Sequence, residues 1–408
     1  MSRKQPLGPI LLTIFIDMIG LGIVIPIVAP VLLDKDSGVL DPSISHETRN
    51  ILLGVLIACY PLFQFFGAPM IGALSDKHGR KPLLSVSIFG ILISYIIFAF
   101  GILYGNIYLL FLSRCLGGFS GGNIAVALSA ISDLSTPETK AKNFGLMGMA
   151  FGVGFIVGPF LGGTLANPEI VSWFNDATPF FASAILSIIN LGLIAVLFKE
   201  TIKNRTSKPV NAFTGIANIR RIFTLKSLRE VFLVVFLITF GFNFFTQFFQ
   251  VYLISKFDFD QQEIGNTFGF IGLWIAITQG GIVRIVSKKF KPVQLLNITI
   301  PWMGLALWAL LLPPVGWMIY LVIPFLAISQ GITTPMLTAL VSEQADANSQ
   351  GEILGLSQSV QSVGMILPPM IAGFMSAFDV RLPLFTAGLC VLFGALALRA
   401  VRSSKPQY

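Results

Sequence analysis

Long apolar runs separated by short polar breaks organise the whole chain. A helix crossing about 30 Å of hydrocarbon at 1.5 Å per residue needs about 20 residues. Runs of that length are predicted at 8–33, 51–74, 83–104, 107–131, 142–166 and 177–198, and again at 230–254, 263–287, 293–312, 316–341, 352–377 and 382–400. They fall into two groups of six. The pattern therefore predicts an all-α membrane protein with twelve transmembrane helices: an N-terminal six-helix bundle (1–198), a cytoplasmic linker (199–229) and a C-terminal six-helix bundle (230–408). Proline and glycine inside several runs do not argue against spanning, because neighbouring helices can satisfy the freed backbone groups.

Composition supports hydrocarbon as the solvent. The chain has 408 residues, of which 54% are hydrophobic and 11% charged, too little charge to cover a water-facing surface of this size. The formal charge of +8 is explained by topology rather than by nucleic-acid binding. With both termini cytoplasmic, every lysine and arginine except Lys35, Arg49, Arg114, Lys256 and Arg381 falls on the inner side. The first run is too long for a signal-peptide core and lacks a small-residue cleavage site, so it reads as the first span. Cys59, Cys115 and Cys390 lie in apolar stretches and read as small buried hydrophobes. Two histidines in the chain give no basis for a metal site, and no cofactor is expected. There is no nucleophile–base constellation and no phosphate loop, which argues against an enzyme and against drive by ATP.

The linker KETIKNRTSKPVNAFTGIANIRRIFTLKSLR is strongly basic, and a surface-lying helix around 216–223 is predicted, with Arg220 and Arg221 meeting anionic headgroups. Two ionisable residues interrupt the apolar spans more sharply. Asp17, in FIDMIGLGIVIPIVAP, is the only ionisable residue between Lys4 and Asp34, and Arg114 lies inside the fourth run. Charges at membrane depth are costly unless they face protein, water or each other, so both are candidates for function.

Four motifs carry a resemblance. The stretch GALSDKHGRKPL, with Gly72, Asp76, Gly79, Arg80 and Lys81, resembles the loop between helices two and three of the major facilitator superfamily. RCLGGFSGG, from Arg114, resembles its fourth-helix arginine motif. GMAFGVGFIVGPFLGG resembles the fifth-helix motif of the drug:proton antiporter branch, and DMIGLGIVIPIVAP resembles the first helix of tetracycline and multidrug exporters. The second-half loop GGIVRIVSKKFKP is similar to the first but has no acid matching Asp76.

The resemblance implies two pseudo-symmetric bundles working by alternating access. It implies an inner-gate charge cluster of Asp76, Arg80, Lys81 and Asp133. It also implies a close-packing glycine motif, Gly148, Gly152, Gly154, Gly158, Pro159, Gly162 and Gly163, on the fifth helix. Helices one and four both face the central cavity in this fold, so Asp17 and Arg114 become a proton-coupling pair, in contact directly or through water. Burial favours a neutral acid and a nearby cation favours the carboxylate, so water access from either side would change such a group's protonation.

Substrate-cavity candidates are Tyr60, Gln64, Asn123, Asn243, Phe244, Gln247, Phe248, Gln250, Trp274, Gln279, Gln330 and Gln358, with Phe245 as further apolar wall. Spacings of 4 and 3 place Asn243, Gln247 and Gln250 on one helix face. Aromatic surface with few amides suits a large, partly apolar organic molecule. Glu343, Asp346 and Glu352 are expected to make loop contacts. The third and ninth spans lack the extra carboxylates of specialised tetracycline exporters, which argues against specific tetracycline transport. The expected protein is a monomeric, proton-coupled exporter of organic or amphiphilic compounds in a bacterial cytoplasmic membrane, with protons, substrate and lipids as its partners. A lipid, sugar or metabolite carrier of the same fold, and a non-transporting receptor or scaffold, remain alternatives.

Overall fold

The computed structural model describes residues 7–135, 137–202, 217, 226–343 and 350–403. Of the surface helix expected at 216–223 only residue 217 is described; Arg220, Arg221, Asp346 and the Glu352 side chain lie outside the described residues.

The described chain is helical throughout its apolar runs. In order, the helices are α1 (Gly8–Leu33), α2 (His46–His78), α3 (Arg80–Leu103), α4 (Ile107–Ser120), α5 (Asn123–Asp133), α6 (Pro137–Ala166) and α7 (Thr178–Leu197). There follow α8 (Lys226–Phe257), α9 (Gln261–Ile277), α10 (Val283–Val286), α11 (Pro292–Ala309), α12 (Ile319–Ser342), α13 (Gln350–Phe378) and α14 (Leu382–Ser403). Helices α4 and α5 form one span broken at Gly121–Gly122, and a π-turn at Thr278–Ile282 joins α9 to α10. Twelve membrane helices result. Eleven are long and apolar enough to cross a bilayer by length and composition alone. The twelfth, α11, has 18 residues, with Gln294, Asn297 and two prolines lowering its mean hydropathy.

The largest departure from the expected bounds is α2, predicted at 51–74 and observed at His46–His78. Its charged ends continue the helix beyond the apolar run, where hydropathy gives no signal. Backbone contacts divide the chain into two compact units. One comprises Met1–Ser45, Cys59–Thr214 and Asp260–Gly269; the other comprises His46–Ala58, Gly215–Phe259 and Phe270–Tyr408.

In the first unit, α6 lies along α1. Gly154, Gly158 and Gly162, one turn apart, meet the α1 backbone directly. A Cβ at Gly158 would stand 2.6 Å from Ile19 O and 2.8 Å from Gly22 Cα, and one at Gly154 would stand 2.8 Å from Phe15 O. Small residues here let dispersion contacts form between main chains. Not every glycine of the motif is used this way, because a Cβ at Gly148 meets nothing within 4 Å. Gly158→Ala is therefore expected to lose about 1–3 kcal/mol through overpacking. Gly148→Ala is expected to be neutral or to gain a few tenths from helix propensity. Thermal unfolding of the purified protein in detergent, read side by side for the two variants, checks the contrast.

In the second unit, Phe244, Phe245, Phe248 and Phe249 of α8 are all about 1% exposed or less. The FGFNFFTQFFQVY run is thus a packed core, with Phe245 and Phe249 centroids 4.8 Å apart. Phe244, Phe245 and Phe248, expected as cavity wall, are buried in this unit, whereas Phe242 of the same run lines a cavity there.

Candidate functional site

The break at Gly121–Gly122 sets up the first polar centre. A Cβ at Gly122 would stand 2.9 Å from Ala68 Cα, so the break lets the fourth span pass close against α2. It also places Asn123 at the start of α5, where its amide nitrogen donates to Asp17 Oδ2 at 2.5 Å. Asn190 of α7 donates to the other oxygen, Oδ1, at 3.5 Å. The Thr13 hydroxyl lies 2.8 Å from Asn190 Oδ1, one helical turn from Asp17. Asn123 and Asn190 are 1% and 0% exposed. The carboxyl of Asp17 is therefore gripped by neutral amides, which supply hydrogen bonds to it without supplying a counter-charge.

Arg114 shares a cavity with Asp17. Tyr60, Ser94, Tyr95, Ser113 and Asn123 also line it, and its volume of about 20 Å³ is room for a water molecule. No ion pair within 4 Å links Asp17 and Arg114 among the described residues. The guanidinium instead lies over the Phe98 ring, 4.4 Å from its centroid. Its buried Nε has no hydrogen-bond partner among the described residues.

The second polar centre is at the C-terminal end of α2. Gly79, with φ of 111°, is a one-residue turn between α2 and α3, a conformation that a side chain would strain. The turn brings Arg80 beside its own preceding helix. Arg80 Nη1 contacts Asp76 Oδ1 at 2.6 Å, and Nη1 also donates to Ser75 Oγ at 2.6 Å. Arg80 Nε donates to Asp133 Oδ2 at 3.1 Å. The Arg80 side chain is 7% exposed, against 42% for Asp76 and 28% for Asp133. Lys81 stands next to this group but sends its Nζ to Ala195 O at 2.7 Å, not to a carboxylate.

Sequence reasoning missed two members. Glu200, just past α7, accepts from the backbone N–H groups of Arg80 at 2.9 Å and Lys81 at 3.2 Å. It thereby caps the otherwise uncapped N-terminus of α3. Thr201 places its hydroxyl 3.1 Å from Asp133 Oδ2. Partial burial opposes ionisation of Glu200, but N–H groups of Arg80, Ile202, Lys81 and Thr201 outweigh it and hold the carboxyl below its usual range. That stabilisation is fully present above the ordinary glutamate value and is lost as pH falls through the depressed one. Glu200→Gln is expected to lose about 0.5–1 kcal/mol at neutral pH, allowing for solvent screening. The difference from the wild type should shrink toward zero in acid, read as paired unfolding curves across pH.

The remaining candidates are scattered. Tyr60 lines the Asp17 cavity, and Gln64 donates to Gly121 O at 3.1 Å, holding the helix break. Asn243 and Gln330 line a separate cavity in the second unit. Gln250, 3% exposed, donates to Gln247 O on its own helix. Gln279 lies in the π-turn, Trp274 has a buried Nε1 without a partner among the described residues, and Gln358 is exposed. Phe244 and Phe248 line neither cavity.

A family profile described as Major Facilitator Superfamily matches residues 10–369. The chain belongs to the Major Facilitator Superfamily. Among superfamily members, the class C tetracycline resistance protein of Escherichia coli is 31% identical over 372 residues, 91% of this chain and 89% of that protein. Multidrug resistance protein 1 of Bacillus subtilis (strain 168) is 27% identical over 399 residues, 97% and 96% of the two chains. The crystal structure of the human organic anion transporter MFSD10 (TETRAN) has the same fold, with a TM-score of 0.73, 20% identity and coverage of 96% and 98%. Superfamily membership and the apolar helices make this an integral membrane protein of secondary-transporter type, a class not normally catalytic.

Proposed function

We propose that this protein is a proton-coupled exporter of organic, drug-like or amphiphilic compounds, of the antiporter branch, that works by alternating access and is not an enzyme. The observation that carries the reading is Asp17: a carboxyl inside a membrane helix, held by Asn123 and Asn190 and sharing a water-sized cavity with Arg114. Neutral amides can hold either protonation state, because an amide presents both a donor and an acceptor. The proton can therefore come and go without dismantling the site. Coupling arises if substrate and proton each prefer one of the two conformations. The names of the curated relatives, tetracycline and multidrug resistance proteins, support export as the direction.

In this reading Asp76, Arg80 and Asp133 form an inner-side charge cluster that breaks and reforms in each cycle, with both termini cytoplasmic in a bacterial inner membrane. Pairs that are partly exposed suit such a role, since neither state is overwhelmingly favoured. The protein functions as a monomer. Its test is purified protein in liposomes with an imposed pH gradient, a substrate panel and a proton-flux readout. Substrate flux that ignores the gradient overturns the proposal.

A further inference from the structure

The three cysteines, expected as enclosed small hydrophobes, are half-buried. Two of them meet. The Cys59 thiol of α2 donates a hydrogen bond to the Cys115 sulfur of α4. Cys390, on α14, has no thiol partner among the described residues.

The backbone builds this meeting. A Cβ at Gly118 would stand 3.0 Å from Tyr60 Cα, and one at Gly67 would stand 2.9 Å from Phe119 Cα, so α2 and α4 run main chain against main chain. Cys59 directly precedes Tyr60, and Cys115 lies one turn before Gly118 on the same helix face. Two short side chains can therefore touch across the crossing. Because glycine packing fixes the spacing, the sulfurs are held ready for a group that bonds to both, and little ordering is left to oppose it. The second bond to such a group is intramolecular, so the pair holds it far more tightly than either thiol alone.

We propose that Cys59 and Cys115 form a dithiol site for a neutral trivalent arsenical, with the arsenic bridging α2 and α4. In the step, the arsenic–oxygen double bond of an arsenoxide breaks and two arsenic–sulfur bonds form. The oxygen leaves as water, carrying both thiol protons. Arsenic stays trivalent and neither sulfur is oxidised, so no oxidant is required. The adduct is uncharged, which suits a place inside membrane helices, where an ion would be costly. Neither thiol is fully enclosed, so a lipid-soluble arsenoxide can reach the pair. Tyr60 and Arg114, the sequence neighbours of the two cysteines, line the Asp17 cavity, so the bridge fastens together two walls of that cavity.

The test is intact-mass spectrometry of the purified full-length protein in detergent after treatment with phenylarsine oxide. One adduct per chain is expected, with the mass of the arsenoxide less one water. It should survive excess glutathione, a monothiol, and be removed by 2,3-dimercaptopropanol. Cys59→Ser and Cys115→Ser should each weaken binding roughly a hundredfold, so that glutathione strips the adduct. Cys390→Ser should keep it. Cys59→Ala and Cys115→Ala stand in for either serine variant that misfolds, with thermal unfolding as the check on folding. Absence of a glutathione-resistant adduct, its persistence in a folded protein lacking Cys59 or Cys115, or its loss in Cys390→Ser would each overturn the proposal. The readout needs neither substrate nor gradient, so it stands apart from the transport reading.

Discussion

Asp17→Asn is expected to remove the response of substrate transport to a proton gradient while leaving the protein folded. The reason lies in what holds the side chain. Asn123 and Asn190 are both amides, and an asparagine at position 17 can turn its own oxygen or nitrogen to meet either of them. The substitution therefore preserves shape and hydrogen bonding and deletes the titration alone. Coupling free energies between two ligands are typically about 1–3 kcal/mol, so the wild type should show a 5–150-fold change in apparent substrate affinity with protonation. In the variant that change should fall to near onefold, with exchange of substrate down its own gradient persisting. Asp17→Glu, which titrates but is one methylene longer, should retain partial coupling. The measurement is uptake into inside-out liposomes with and without a pH gradient. Full gradient-driven accumulation in a correctly folded Asp17→Asn protein would sink the assignment.

The parts of this structure that were legible in the sequence are those governed by the hydrocarbon. Span one was predicted at 8–33 and is Gly8–Leu33, because nothing but membrane thickness and the polar residues at its ends decides it. Asp17 was legible for the same reason, as the one ionisable residue in its apolar run. Its partners were less so. Asn123 follows a glycine pair and reads from the sequence as a cavity residue, but that it grips Asp17 depends on the α4–α5 break. Asn190 sits in an apolar helix where one amide barely changes hydropathy, and which way it faces is a property of the packed bundle. Glu200 was hidden by its surroundings: in a run of linker charges it looks solvated, yet its carboxylate caps a helix 120 residues earlier in the chain. The phenylalanines of α8 show the converse limit. Periodicity identifies a helix that is apolar on every side, and cannot say which of its faces meets helix, lipid or cavity.

Arg80→Lys is expected to behave like Arg80→Ala rather than like the wild type. Arg80 reaches two carboxylates in different directions through two different nitrogens, Nη1 to Asp76 and Nε to Asp133, and Nη1 also meets Ser75. A lysine ammonium is a single point with no rigid fork, so it can sit near one acid or the other but cannot link α2 to α5 as the guanidinium does. The side chain is buried while its partners are partly open to water. Loss of the link therefore costs less than the roughly 3–5 kcal/mol of a fully buried pair and more than the ~1 kcal/mol ceiling of a surface one. A shift of about 1.4–3 kcal/mol between conformations changes their ratio by at least tenfold. Transport in liposomes should thus fall about tenfold or more in both variants, with substrate binding in detergent changed far less. Asp133→Asn should lose part of the same effect, and combining it with Arg80→Ala should add little, since the two residues act through one contact. Additive losses in that double-mutant cycle, or a fully active Arg80→Lys, would show that the cluster is ordinary surface charge and that the transport cycle does not depend on it.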